Sequence, residues 1–212
     1  ICGEAGTGKT LLASLLALKF LEEYPYGKVI FFDADKKLAK HNLQQICMSN
    51  GIGPYVLERL KITIPADWKS IISTIESFHE KENESLFIID SLPGVFVGEQ
   101  HILTLDKYEK PIETFIDSLV EFFSKIQRYT KAMNTTLIIT NQMRSVIRGN
   151  FPYFWQQKQK VPALWNIISN FIDTSILLEK LRRNMILVRI LFSCELPETI
   201  FLLRIGENLM VM

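Results

Sequence analysis

The chain contains 212 residues, of which 48% are hydrophobic and 22% are charged, a composition that suits one globular domain with a sizeable core. The formal net charge of +1 excludes a strong overall attraction to nucleic acid, so any contact with DNA must come from a local patch. The three cysteines and three histidines lack the spacing of a zinc site or a disulfide framework, and no apolar run approaches the roughly 18 residues that a membrane span needs.

The predicted elements alternate between helices and apolar strands, which is typical of a mostly parallel α/β sheet. Ile1 and Cys2 resemble the end of a strand, so we expect residues 1–212 to be one domain of an N-terminally truncated fragment. The patterns predict these elements in chain order: a helix over 9–23, a strand over 29–32, a helix over 37–49, a short strand over 60–64, a helix over 67–79, a strand over 86–89, a long helix over 113–131, and strands over 136–140, 172–178, 185–192 and 200–203. We expect the aperiodic stretch 143–160 to be a long loop.

The first eight residues after Cys2 match the phosphate-binding loop of nucleoside triphosphatases. The predicted nucleotide-binding residues are Gly3, Glu4, Ala5, Gly6, Thr7, Gly8, Lys9 and Thr10. Glycines let the backbone approach phosphate oxygens, and successive N–H groups at the start of a helix attract an anion. In such loops the lysine, here Lys9, reaches the β- and γ-phosphates as a catalytic cation, and the hydroxyl of Thr10 ligates Mg²⁺. The segment therefore predicts ATP and Mg²⁺ as cofactors.

Polar residues at the ends of three predicted strands complete the candidate site. Asp90 closes an apolar strand and is expected to hold Mg²⁺ together with Thr10, although a strand-end acid can also act only as a cap. Asp35 is a candidate for orienting the attacking water, with a solvated turn acid as the alternative. Asn141 and Gln142 end a third strand, where Gln142 can sense the γ-phosphate or simply mark a polar strand-to-loop junction.

The segment after Gln142 interleaves basic and aromatic side chains, a pattern that can track a phosphate backbone and stack bases. The candidate DNA-binding residues are Arg144, Arg148, Lys158 and Lys160, and the aromatic residues between them are Phe151, Tyr153, Phe154 and Trp155. Packing of these aromatic side chains on the domain or on a partner is the slightly favoured interpretation. We expect residues 92–105 to form a loop after Ser91, and this stretch contains no lysine or arginine.

Taken together, these features resemble the RecA-type recombinase ATPases over the span from Gly3 to about Gly206. In that family one strand ends in D-x-E, the next in D-S and a later one in N-Q. The corresponding residues here are Asp33 to Asp35, Asp90-Ser91 and Asn141-Gln142. The eukaryotic recombinase paralogues of the small X-ray repair cross-complementing type are most similar, since they also carry Asp where catalytic members carry Glu.

This resemblance implies a RecA-like P-loop NTPase core, with a mostly parallel central sheet flanked by helices and antiparallel strands at the C-terminus. It also implies a nuclear ATP-binding protein with weak ATP hydrolysis, which joins other recombinase-family subunits in a hetero-oligomer that supports homologous recombination and double-strand break repair. Single-stranded DNA would be a weak partner, because the loop over 92–105 is uncharged and Ala163-Leu164 replaces the paired glycines of strand-exchange members.

Two alternative functions stay open. The first is a DNA-dependent ATPase with strand-exchange activity. Basic residues over 92–105 would favour this function, and the sequence has none there. The second is a non-enzymatic scaffold subunit stabilised by ATP. A small-molecule kinase fits less well, since the sequence lacks an arginine-rich lid and Asn141-Gln142 does not suit one.

Overall fold

The structure is a computed structural model that describes residues 1–38, 40–78, 84–96, 110–133, 135–147, 158–182, 185–193, 199–205 and 209–211. The helices are α1 (Lys9–Glu23), α2 (Lys40–Ser49), a 3-10 helix (Pro54–Arg59), α3 (Trp68–Glu76), α4 (Leu92–Val95), α5 (Lys110–Met133) and α6 (Trp165–Ile168). The strands are β1 (Cys2–Gly3), β2 (Lys28–Asp33), β3 (Leu60–Thr63), β4 (Ser85–Asp90), β5 (Thr136–Ile139), β6 (Asn141–Ile147), β7 (Lys158–Pro162), β8 (Thr174–Arg182), β9 (Met185–Ser193), β10 (Ile200–Ile205) and β11 (Leu209–Val211).

The strands form two ladders that meet at Thr140. One ladder has the order β3-β2-β4-β5, and the other has the order β11-β10-β9-β8-β1-β6-β7. Thr140 joins β5 to β6, and its N–H donates to the carbonyl of Ile89 in β4 at 2.9 Å. The N–H of Asn141 then donates to the carbonyl of Ile1 at 2.8 Å, so one extended segment passes from β4 to the neighbourhood of β1.

The strands β3, β2, β4 and β5 run parallel, as do β6, β1 and β8. The strand β7 pairs antiparallel with β6, and β9, β10 and β11 add antiparallel pairs beside β8. Parallel strands end at the same edge of a sheet, and ligands of such folds bind at the carboxyl ends. The topology therefore brings the ends of β1, β2, β4 and β5 together.

Two apolar cores cover the two faces of the central strands. In β2, Ile30 and Phe32 pack with α3 and α5, whereas Val29 and Phe31 pack with α1 on the opposite face. The same alternation holds in β4, because side chains of successive strand residues point to opposite faces. A strand that is buried on both faces must be apolar throughout, which explains the continuous hydrophobic runs of β2 and β4.

The fold class expected from the sequence is confirmed, and four local expectations are wrong. The stretch 92–105 was expected to be a loop, but its first residues form α4. The stretch 143–160 was expected to be a loop, but β6 continues to Ile147 and pairs antiparallel with β7. The second helix begins at Lys40, not at Lys37, since the Asp33 carboxylate holds the residues before it in a turn. The strand expected over 172–178 runs to Arg182, because β9 pairs along its whole length. Within the described ranges, no helix combines the length and the apolar character needed to span a membrane.

Phe122 on α5 occupies the centre of the larger core, where it is fully buried against the rings of Trp68, Phe96 and Phe123. Removing such a ring leaves a cavity, so Phe122→Ala is expected to lower the free energy of unfolding by about 3–5 kcal/mol. Val120→Ala on the same helix is the control, since Val120 is 41% exposed and its truncation should cost less than about 0.5 kcal/mol. Denaturant unfolding measures both values, and equal losses would contradict this account of the core.

Candidate functional site

The loop between β1 and α1 adopts a conformation that depends on glycine. Gly6 has a φ of 73° and Gly8 a φ of 83°, values in the left-handed region that residues with a Cβ rarely adopt. Gly8 is also the N-cap of α1; no side chain caps this helix, and its first turn contains no acidic residue. The first N–H groups of α1 therefore point toward the loop with the positive end of the helix dipole behind them.

Gly3 is required for a different reason, because the backbone is crowded there. A Cβ at this position would lie 2.5 Å from the Thr7 hydroxyl oxygen and 2.7 Å from the carbonyl oxygen of Leu178. Gly3 belongs to β1, which pairs with β6 on one side and β8 on the other. The sheet thus fixes the start of the loop while the later glycines shape its curve.

The ammonium group of Lys9 lies within the loop. It donates to the carbonyl of Gly3 at 3.0 Å and to the carbonyl of Glu4 at 2.8 Å. Burial lowers the pKa of Lys9, and the negative charge of Asp90 opposes that shift. The loop therefore holds a cation in a partly desolvated place, where its attraction for an anion is stronger than in bulk water.

The carboxylate of Asp90 is buried at the end of β4 and connects three elements. Its Oδ2 accepts a hydrogen bond from the hydroxyl of Thr10 at 2.7 Å, and its Oδ1 accepts one from the hydroxyl of Thr140. The predicted pair of Thr10 and Asp90 is therefore in direct contact. Thr140 was not predicted from the sequence, because its contact with Asp90 depends on the register of β5 beside β4.

Asp35 sits in the turn after β2, and both of its carboxylate oxygens accept hydrogen bonds. Lys37 donates to Oδ2 at 2.8 Å, and the Ser91 hydroxyl donates to Oδ1 at 3.1 Å. Gly94 packs so closely that a Cβ there would lie 2.4 Å from Oδ1. The N–H of Ala34 donates to the carbonyl of Asp90 at 2.8 Å, which holds this turn beside the end of β4. Lys37 and Gly94 were not singled out from the sequence, since neither follows a recognisable motif.

Asn141 and Gln142 occupy different environments although they are neighbours in the chain. Asn141 is buried, and its amide donates to the carbonyl of Ala163 at 2.7 Å. Gln142 is exposed and lies opposite Gly3 in the pairing of β1 with β6. Its carbonyl accepts the N–H of Ala163 at 2.8 Å. Gln142 therefore borders the first residue of the loop and also contacts the segment that follows β7.

The protein-family model described as Rad51 matches residues 1–210 of the chain. The chain belongs to the Rad51 family. Members of the Rad51 family bind ATP and DNA, work in oligomeric assemblies and act in recombination and repair. The resemblance to RecA-type recombinases drawn from the motifs is thus confirmed. A comparison with curated proteins found no match.

The geometry of the site fits the ATP and Mg²⁺ that are typical of the Rad51 family. Gly6 lies on an open side of the loop, where a Cβ would meet no atom within 4 Å, while Lys9 and the start of α1 supply positive charge. Thr10 and Asp90 offer the hydroxyl and carboxylate oxygens that Mg²⁺ prefers. The site can therefore accept a polyphosphate on the loop with a divalent cation beside β4.

The residues considered for DNA contact are only partly described. Arg144 is exposed on β6 and lies opposite Val161, while Lys160 lies opposite Ser145 and Lys158 opposite Ile147 on β7. Arg148 and the aromatic residues Phe151, Tyr153, Phe154 and Trp155 lie outside the described residues. The structure therefore places three of the four basic residues on one β-hairpin, which begins directly after Gln142.

Proposed function

We propose that the chain binds ATP with Mg²⁺ at this site and hydrolyses it slowly, as one subunit of a complex that supports homologous recombination and double-strand break repair. The observation that carries the proposal is the contact between Thr10 and Asp90, which joins the phosphate loop to the acid at the end of β4. A glycine-rich turn that binds no ligand would not require a carboxylate in contact with its threonine.

Each residue then has a defined part in the mechanism. Lys9 and the N–H groups at the start of α1 bind the phosphates, and Thr10 and Asp90 hold the metal. When bound, Mg²⁺ neutralises charge on the phosphate oxygens. Asp35 orients the attacking water, and Gln142, which lies opposite Gly3 in the sheet, contacts the terminal phosphate. Asp35 is one methylene shorter than the glutamate of catalytic relatives, and such a displacement lowers the rate because orientation is critical.

The finer assignment is to a recombinase paralogue that acts in the nucleus with other family subunits. Its support is the Asp at position 35, together with an overall charge of +1 and a stretch over 92–105 whose sequence contains no lysine or arginine. These features favour weak binding of single-stranded DNA, centred on the hairpin of Arg144, Lys158 and Lys160, over an independent strand-exchange activity.

A scaffold role for bound ATP is the second candidate function, and one contact favours it. Both carboxylate oxygens of Asp35 are already engaged, by Lys37 and by Ser91. An acid in that state is less available to a water molecule, so ATP would stabilise the fold or an interface without being turned over.

Lys9→Ala is expected to weaken ATP binding by about a hundredfold or more, because charge-assisted contacts to phosphate are among the strongest hydrogen bonds. Equilibrium titration with a fluorescent ATP analogue measures the affinity. Lys19→Ala is the matched control, since Lys19 lies on the same helix but pairs with Glu22 on the surface. Unchanged affinity in Lys9→Ala would refute the assigned site.

Asp90→Asn is expected to reduce ATP binding in the presence of Mg²⁺ by about tenfold or more, while binding without the metal changes little, because the carboxylate acts through the metal. Titrations with Mg²⁺ and with a chelator separate the two effects. Asp117→Asn, an exposed acid on α5, serves as the control. Equal losses under both conditions would make Asp90 a structural residue alone.

Asp35→Asn is expected to abolish slow turnover and to leave ATP affinity within about twofold, because the amide keeps the shape of the side chain but loses the base. Phosphate release under single-turnover conditions gives the rate. If the parent chain binds ATP and releases no phosphate above the rate of Lys9→Ala, the scaffold function replaces the weak ATPase.

A further inference from the structure

The turn after β2 holds Lys37 in a fixed place. The buried carboxylate of Asp33 accepts the backbone N–H of Lys37 at 3.0 Å and that of Leu38 at 2.8 Å. The N–H of Lys36 donates to the carbonyl of Asp33 at 3.3 Å. Three hydrogen bonds between Asp33 and consecutive residues of its turn thus fix the backbone from which the Lys37 side chain extends.

The ammonium group of Lys37 forms an ion pair that can open easily. It lies 2.8 Å from Oδ2 of Asp35, with the Lys37 side chain 61% exposed and the Asp35 side chain 17% exposed. Exposed ion pairs contribute little to stability, because water screens the charges and ordering a long side chain costs entropy. The ammonium can therefore leave Asp35 for an anion that carries more charge.

A short series of contacts connects Lys37 to the phosphate loop. Asp35, the partner of Lys37, accepts a hydrogen bond from the Ser91 hydroxyl at 3.1 Å. Ser91 follows Asp90, whose carboxylate accepts the hydroxyl of Thr10 at 2.7 Å. The ammonium of Lys37 therefore belongs to the same cluster of polar groups as the phosphate loop.

We propose that Lys37 is a second phosphate-facing cation of the nucleotide site and selects nucleoside triphosphates over diphosphates. This inference rests on the ATP binding proposed above. Lys37 bonds Asp35 when no terminal phosphate is present and exchanges this partner for the terminal phosphate of a triphosphate. The same exchange releases Oδ2 of Asp35, so the acid becomes available to water only when there is a phosphate to cleave.

Equilibrium binding of ADP and of a non-hydrolysable ATP analogue to Lys37→Met tests the proposal without measuring turnover. Loss of one charge-assisted contact should weaken binding of the triphosphate analogue by about tenfold and binding of ADP by less than about twofold. Lys36→Met is the matched control, since Lys36 is the adjacent exposed lysine, and it should change neither affinity. Lys37→Arg keeps the charge and should keep most of the preference for the triphosphate.

Three results would overturn the proposal. Equal weakening of both nucleotides in Lys37→Met would mean that Lys37 only maintains the loop, and a lowered unfolding midpoint of the free protein would accompany it. Unchanged affinity for both nucleotides would leave Lys37 as a partner of Asp35 alone. If the parent chain binds neither nucleotide, the proposed ATP site is wrong, and the role proposed for Lys37 is wrong as well.

Discussion

A carboxylate as deeply buried as that of Asp90 needs hydrogen-bond donors, because an uncompensated charge in the interior costs several kcal/mol. Thr10 supplies one donor from α1, and Thr140 supplies the other from the junction of β5 and β6. The main-chain carbonyl of Asp90 accepts the N–H of Ala34 and so holds the turn after β2. One residue at the end of β4 therefore sets the relative positions of the phosphate loop, the turn of Asp35 and the junction of β5 and β6.

The central part of this arrangement could be predicted from the sequence because it depends on short-range patterns. The spacing from Gly3 to Thr10 specifies a loop and a helix start, and the apolar runs before Asp35 and Asp90 specify buried strands. The rule that parallel strands end at one edge then brings these residues together without further information. The roles assigned to them remain proposals.

Contacts that depend on register and on turn geometry could not be predicted in the same way. Thr140 reaches Asp90 only because β5 lies beside β4 in a particular register, and nothing in the local sequence of either strand specifies that alignment. Lys37 reaches Asp35 because Asp33 folds the turn back on itself. The hairpin of β6 and β7 was expected to be a loop because its strands mix polar and apolar residues, whereas backbone pairing is what stabilises them.

Residues 136–147 form one extended segment whose successive parts border β4, β1 and β7. At about 3.3 Å per residue this segment is roughly 40 Å long. Along it, Thr140 contacts Asp90, Asn141 contacts Ala163 and Gln142 pairs with Gly3. The surface of the β6–β7 hairpin and the phosphate loop are therefore bordered by a single continuous stretch of extended backbone.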